Sequence, residues 1–172
     1  MIIHIVRHAE AVDRSENISE EHRFLTPRGR KRFREAAKAL RKTGAAPDLI
    51  LTSPLLRAVQ TADILAESLR YEGDMLVEQL LSPGFRPQKL DRLLNVYPHV
   101  KELVLVGHEP DVGMVVGSLL GSEGSCSLTK GAIVSFQTTG PGQADFVGMI
   151  TGGGKTITSK SKAQDKLQGK QQ

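Results

Sequence analysis

The segment MIIHIVRHAEA, residues 1–11, carries the strongest signal for the fold class. Its first six residues form an apolar run that is rich in β-branched side chains and interrupted only by His4, which predicts a buried β-strand. Arg7 and His8 follow directly, so they lie at the carboxyl end of that strand. Ligands of open α/β sheets bind at this edge. Arg7 and His8 are therefore candidate functional residues.

The remaining chain alternates predicted strands and helices. Strands are predicted at 47–52, 75–77, 102–106, 132–136 and 144–150, and helices at 27–43, 55–69, 88–97 and 111–120. The predicted buried face of the second helix is Leu55, Val59, Ala62, Ala66 and Leu69. This alternation is typical of an α/β domain whose mostly parallel sheet is covered by helices on both faces.

Composition narrows the class of protein. With 172 residues, 39% hydrophobic and 24% charged, the chain is long enough for one domain with a real core. Cys126 is the single cysteine, which excludes an internal disulfide and argues against a cysteine-based zinc site. No apolar segment reaches the length of a membrane span, and no basic segment precedes the first apolar run. We expect a cytoplasmic protein that does not bind membranes.

The basic net charge of +4 comes from the end of the chain. Residues 155–172 hold five lysines and one aspartate, so residues 1–154 carry 18 basic and 18 acidic side chains. The domain therefore lacks the basic face that nucleic-acid binding requires. The glycines at 152–154 and the Lys-rich composition beyond them predict a domain at 1–151 and a disordered tail at 152–172.

Further candidate residues follow two other predicted strands. Arg57 lies in the first turn of the helix after strand 47–52, and His108 follows strand 102–106. Together with Arg7 and His8 they place two guanidinium groups and two imidazoles at one sheet edge. Guanidinium suits phosphate, and imidazole can be a nucleophile. No carboxylate cluster suited to Mg²⁺ accompanies them, and the two arginines would repel zinc, so we expect neither a metal nor a cofactor.

Four motifs in this order resemble the histidine phosphatase (phosphoglycerate mutase-like) superfamily. They are Arg7-His8-Ala9-Glu10, the stretch LTPRG at 25–29, the stretch SPLLRAVQTA at 53–62 and the stretch VGHEP at 106–110. The short chain and the RHAEA and VGHEP stretches are similar to the SixA type of phosphohistidine phosphatase. The resemblance implies a three-layer α/β/α sandwich, a transiently phosphorylated His8, and phosphoryl binding by Arg7, Arg57 and His108. The family's usual glycine after Arg-His is here Ala9, whose methyl group the pocket must accommodate.

These residues suggest a mechanism without metal. Neutral His8 attacks phosphorus, the two arginines and His108 (best as an imidazolium) offset the charge on the phosphoryl oxygens, and water hydrolyses the phosphohistidine. An ester substrate also needs a proton on its departing alkoxide. Glu78, after a predicted short strand, is the acid that we can place for this role, its alternative being a surface carboxylate. The resemblance to SixA implies no dedicated acid.

Three functions remain open at this point. The first is dephosphorylation of a phosphohistidine on a phosphorelay or phosphotransfer protein, which the resemblance favours. The second is a phosphomonoesterase for a small phosphate ester. The third is a noncatalytic phosphoryl-binding module, against which the retention of His8 and its cationic partners argues.

Overall fold

The chain folds around a seven-stranded β-sheet. A computed structural model describes residues 1–140 and 142–169. The strands are β1 (Ile2–Arg7), β2 (Leu49–Thr52), β3 (Asp74–Val77), β4 (Glu102–Gly107), β5 (Ile133–Gly140), β6 (Gln143–Ile150) and β7 (Thr156–Ile157). Their order in the sheet is β3-β2-β4-β1-β5-β6-β7. The first four of these pair in parallel, whereas β5, β6 and β7 each pair antiparallel with the preceding strand in that order.

Helices cover both faces of this sheet. They are α1 (Pro27–Lys42), α2 (Leu56–Leu69), α3 (Pro87–Val96), α4 (Asp111–Leu120) and α5 (Lys160–Leu167), with 3₁₀ turns at Glu20–His22 and Gln79–Leu81. One core cluster joins α1 and α2 to one face, and a second joins α3, α4 and α5 to the other. The predicted three-layer α/β/α sandwich is confirmed. Among the described residues, no helix is long and apolar enough to cross a membrane.

Helix α1 forms as its sequence predicts. The Thr26 side chain accepts a hydrogen bond of 2.9 Å from the Gly29 amide and caps the first turn. Pro27 occupies the first helical position, where a missing N–H costs nothing. The predicted apolar face is buried: Phe33, Ala36, Ala37 and Leu40.

The predicted buried face of α2 is confirmed at Leu55 and Ala62 and wrong at Val59, Ala66 and Leu69, which are only partly buried. The buried side chains within the helix are Arg57, Ala58, Thr61, Ala62, Ile64 and Leu65. A search for apolar periodicity passes over Arg57 and Thr61 because they are polar. Both are buried because their polar atoms have partners at the end of β1.

The prediction of a disordered tail after residue 151 is also wrong. Strand β7 pairs with β6, and α5 buries Ala163 and Leu167 against the second core cluster. The glycines make a tight turn instead of a flexible linker: a Cβ on Gly152 would overlap the Lys130 carbonyl, and Gly154 has a φ of +88°. The last predicted tail residues, 170–172, lie outside the described residues, as does Pro141.

The docking of α5 has a simple physical origin. Ser159 caps its first turn by accepting a hydrogen bond from the Lys162 amide. Ala163 and Leu167 are four residues apart, so they share one helix face. The carbonyl of Leu167 also accepts a 2.9 Å hydrogen bond from the Ser127 amide. Three of the lysines that suggested disorder, Lys160, Lys162 and Lys166, are exposed on the solvent side of this short helix.

Candidate active site

The carboxyl ends of β1, β2 and β4 bring the four predicted residues together. Arg7 ends β1 and pairs in register with Gly107 of β4, which immediately precedes His108. β2 pairs with the other edge of β4, and Arg57 follows it in the first turn of α2. The resulting cleft has a volume of about 410 Å³ and is lined by Arg7, His8, Ala11, Asp13, Arg14, Glu20, Arg23, Arg57, His108, Glu109 and Lys130.

Hydrogen bonds fix the orientation and tautomer of His8. Its Nδ1 lies 2.7 Å from the carbonyl oxygen of Ala9. A carbonyl can only accept, so Nδ1 carries the proton and Nε2 holds the free lone pair. The Nε of Arg57 donates to that Nε2 over 3.2 Å. Burial, together with the nearby cationic and imidazole side chains, lowers the pKa of His8 to about 3. The ring is thus neutral, with its free lone pair on Nε2.

His108 lies beside His8, with their ring centroids 5.1 Å apart. Its Nε2 is 2.7 Å from the Ser53 hydroxyl, which also accepts a hydrogen bond from the Leu55 amide. The direction of the His108–Ser53 hydrogen bond depends on the tautomer of the ring. In the tautomer whose Nε2 accepts from the Ser53 hydroxyl, the ring proton lies on Nδ1. That Nδ1 is buried and has no partner within the described residues.

The protonation state of His108 depends on its surroundings. Burial, with the nearby Arg57 cation, lowers the pKa of His108 to about 4. The ring is therefore neutral in the free protein, and the imidazolium expected with a bound phosphoryl group stays a prediction. A neutral ring with its proton on Nδ1 can still donate a hydrogen bond from that atom, and a bound phosphoryl dianion would raise the pKa of the ring.

The two arginines are held differently. Arg7 donates from Nη1 to the carbonyl of Leu128, while its Nε is buried without a partner in the part of the chain that the structure describes. Arg57 donates from Nη1 to the Glu20 carbonyl over 2.8 Å, and its Nη2 lies 2.8 Å from the Glu20 carboxylate. Burial lowers the pKa of both guanidinium groups. A buried polar group without a partner often marks a functional site. Arg7 Nε, and His108 Nδ1 when it carries the ring proton, can donate hydrogen bonds to phosphoryl oxygens.

Sequence reasoning missed several residues of the cleft. Glu20 and Arg23 belong to the irregular segment 12–25, and Glu109 follows His108 in VGHEP. Glu109 accepts a 3.0 Å hydrogen bond from the Leu128 amide, and Arg7 donates a hydrogen bond to the Leu128 carbonyl. Leu128 is therefore held by both side chains. Burial raises the pKa of the Glu109 carboxyl. The VGHEP motif could have indicated Glu109. The segment 12–25 has no periodicity from which Glu20 and Arg23 could have been predicted.

Glu78 is not brought to the cleft. Its carboxylate accepts a 2.9 Å hydrogen bond from the Leu80 amide and caps the 3₁₀ turn Gln79–Leu81. It is absent from the side chains that line the cleft among the described residues. A glutamate placed directly before a helical turn satisfies that turn's free N–H groups, and this local demand decides its position.

Ala9 does not narrow the cleft. Its methyl group packs in the core cluster under α1 and α2, and its amide donates to the Thr61 hydroxyl over 3.1 Å. Thr61 in turn donates to the carbonyl of Arg57 over 2.6 Å. These two bonds tie the end of β1 to the first turns of α2, and so fix His8 relative to Arg57.

The set of side chains limits metal binding. Within residues 1–140 and 142–169, no group of three or more His, Cys, Asp or Glu side chains could hold a metal ion. The positive charge beside His8 comes from the side chains of Arg7 and Arg57.

Comparison with known proteins assigns the chain to a family. The family model "Histidine phosphatase superfamily (branch 1)" matches residues 3–81, which include Arg7, His8 and Arg57. The chain belongs to the histidine phosphatase superfamily. This confirms the family that the four motifs predicted, and it identifies the protein as a phosphatase, a hydrolase of phosphoryl groups.

Three proteins illustrate the similarity of this chain to others in sequence and in fold. An uncharacterized protein of Picosynechococcus sp. is 38% identical over 115 residues, which span 66% of this chain and 69% of that one. The protein histidine phosphatase SixA, solved with tungstate, superposes with a TM-score of 0.79 at 26% identity over 88% of this histidine phosphatase and 97% of SixA. The α-ribazole phosphatase of Shigella flexneri shares the fold, with a TM-score of 0.65, 16% identity and coverage of 93% and 97%.

Proposed function

We propose that this histidine phosphatase removes phosphoryl groups from phosphohistidine on a phosphorelay or phosphotransfer protein. The observation that carries the proposal is the state of His8: neutral, with its proton held on Nδ1 by Ala9 and with Nε2 facing the cationic cleft. The likeness to the protein histidine phosphatase SixA supports this class of substrate.

The reaction proceeds through two in-line displacements. His8 Nε2 attacks phosphorus and forms a P–N bond while the substrate's P–N bond breaks, and the departing imidazole takes up a proton from solvent. Water then attacks the phosphorylated His8, releasing inorganic phosphate and restoring the neutral ring. Arg7, Arg57 and the Nδ1–H of His108 stabilise the equatorial phosphoryl oxygens in both steps.

The leaving group favours a phosphohistidine substrate. Imidazole leaves phosphorus far more readily than an alkoxide does, so it needs no strong acid. Glu78 caps a local turn, and Glu20 is held in ion pairs with arginines, so neither is placed as a free proton donor. Steady-state kcat/KM for a panel of phosphohistidine proteins, measured beside small alkyl phosphates, tests the proposal. A higher kcat/KM for alkyl phosphates would reject it.

A small-molecule phosphomonoesterase is the second candidate, and one observation favours it. Glu109 lines the cleft, and burial raises the pKa of its carboxyl, which is the property expected of a proton donor. The fold is shared with an α-ribazole phosphatase, so it accommodates small phosphate esters elsewhere.

We also propose that catalysis needs no metal ion. The phosphoryl charge is met by two guanidinium groups and an imidazole N–H. Activity should therefore be unchanged after treatment with EDTA and removal of the chelator. Loss of activity that Zn²⁺ or Mg²⁺ restores would contradict this part of the proposal.

A further inference from the structure

The guanidinium of Arg57 already holds an anion. Its Nε contacts the nucleophilic Nε2 of His8, whereas its Nη1 and Nη2 contact the carbonyl and carboxylate of Glu20, each over 2.8 Å. One edge of this buried guanidinium thus faces the reacting nitrogen and the other faces an internal carboxylate. The side chain of Arg57 is 5% exposed and that of Glu20 is 40% exposed, so the carboxylate approaches from the solvent side.

Two further arginines hold the same carboxylate. Arg23 donates to both Glu20 oxygens at 2.9 and 3.1 Å, and Arg14 donates to one of them at 3.1 Å. Burial acts to raise the pKa of the Glu20 carboxyl, but the hydrogen bonds from Arg23 and Arg14 outweigh it, and the pKa lies below its ordinary value. Glu20 is therefore an ionised group in a pocket made by three cations.

We propose that Arg57, Arg23 and Arg14 form a second anion subsite beside the phosphoryl position, which Glu20 fills in the free protein. A carboxylate that the substrate carries next to its phosphoryl group takes the place of Glu20. This inference rests on the proposed function, because it describes the surroundings of the phosphohistidine: an acidic side chain adjacent to it in the partner protein.

The geometry sets how close the second anion must be. The same guanidinium contacts His8 on one edge and Glu20 on the other, so the two anion positions are separated by little more than the width of one guanidinium group. A carboxylate one or two bonds beyond the phosphoryl group, or on the neighbouring residue, can reach that distance. The Glu20 carboxylate belongs to an irregular, solvent-exposed segment, so it can move out without disturbing the sheet.

Binding of two small probes tests the subsite without turnover. Phosphonoacetate carries a phosphonate and a carboxylate one carbon apart, and ethylphosphonate replaces that carboxylate by a methyl group. Calorimetry should show that the protein binds phosphonoacetate more tightly than ethylphosphonate. Because Glu20→Gln removes the internal competitor, it should widen this preference about tenfold or more, the usual value of a charge-assisted contact. Arg23→Gln should reduce the preference by a similar factor.

Glu21→Gln is the matched control. Glu21 lies in the same 3₁₀ turn, is exposed, and makes no ion pair within the described residues, so this variant should keep the wild-type preference. Equal affinity of Glu20→Gln for the two probes, or a preference that survives Arg23→Gln, would overturn the subsite.

Peptides then separate the subsite from the proposed function. Two phosphohistidine peptides that differ only in Asp or Asn beside the phosphohistidine should differ about tenfold in kcat/KM with the wild-type protein, and this ratio should approach one in Arg23→Gln. Equal rates for the two peptides would overturn the claim about the substrate. If neither peptide is hydrolysed while the probe preference holds, the proposed function fails and the subsite stands.

Discussion

The Nε of Arg57 donates a hydrogen bond of 3.2 Å to Nε2 of His8. This single contact defines the working state of the site, because a nitrogen that accepts from a guanidinium cannot itself be protonated. Attack on phosphorus must break this contact, and the freed Nε can then turn to a phosphoryl oxygen. In the proposed mechanism, Arg57 orients His8 before the attack and then faces the charge that develops in the transition state.

Replacement of the nucleophile gives the most direct prediction. His8→Ala should abolish turnover, and wild-type protein quenched during turnover should carry an acid-labile phosphoryl label on His8. His99→Ala makes the same change at an exposed imidazole and should leave turnover unchanged. Steady turnover by His8→Ala would show that another group carries the phosphoryl intermediate.

The role of Arg57 can be separated from its charge. Arg57→Lys keeps a cation but loses the fork that contacts His8 and Glu20 together, so we expect kcat/KM to fall about 10- to 100-fold. The fold should be retained, which thermal unfolding would establish. A lower melting temperature with unchanged kcat/KM would instead assign Arg57 a purely structural role.

Glu78 and Glu109 should respond differently to loss of their acid groups. Glu78→Gln should leave hydrolysis of both phosphohistidine and alkyl phosphates unchanged, because an amide oxygen can still accept from the Leu80 amide. Glu109→Gln should slow alkyl phosphate hydrolysis by about 10²-fold or more if its carboxyl donates the proton. Kinetics of each variant on both substrates measure this, and slower alkyl phosphate hydrolysis by Glu78→Gln alone would restore the original assignment.

Much of the fold and the core of the site could be predicted from the sequence. Apolar runs are strong local signals, and they predict that Arg7, His8 and His108 follow strand ends. They also predict that Arg57 lies in the first turn of the helix after a strand. The topology of parallel strands then brings these positions to one edge of the sheet. Glu20 could not be found in this way, because it depends on how an irregular segment closes over the sheet edge. Of the two alternatives left open for Glu78, an acid of the site or a surface carboxylate, the sequence could not choose, because its position depends on a local hydrogen bond to a 3₁₀ turn.

Helix α5 lies in the segment that the sequence predicted to be disordered, and its contribution to stability can be tested. Leu167 is 3% exposed and packs in the core cluster on the α4 side of the sheet. Leu167→Ala should lower the free energy of unfolding by about 2–5 kcal/mol. Lys166→Ala, at the exposed neighbouring position, is the control and should have little effect. Equal stability of both variants in urea unfolding would mean that the helix contributes nothing to the domain.

The pH dependence of stability tests the neutral histidines. In the folded protein the pKa values of His8 and His108 are about 3 and about 4, below the ordinary 6.5. Between about pH 4 and 6.5 the unfolded chain binds protons at these rings that the folded protein does not bind. The free energy of unfolding should therefore fall as the pH drops through this window, by up to about 1.4 kcal/mol per pH unit for each ring.

His8→Gln isolates the contribution of one ring. The slope of unfolding free energy against pH, from urea titrations between pH 4 and 6.5, should be smaller in this variant than in wild type by up to that single-ring amount. Carboxylates titrate in the same range, but they are shared by both proteins and cancel in the comparison. His99→Gln removes an exposed ring and should keep the wild-type slope. If His8→Gln also keeps the wild-type slope, His8 titrates near its ordinary pKa in the folded protein, and a nucleophile held neutral by burial is excluded.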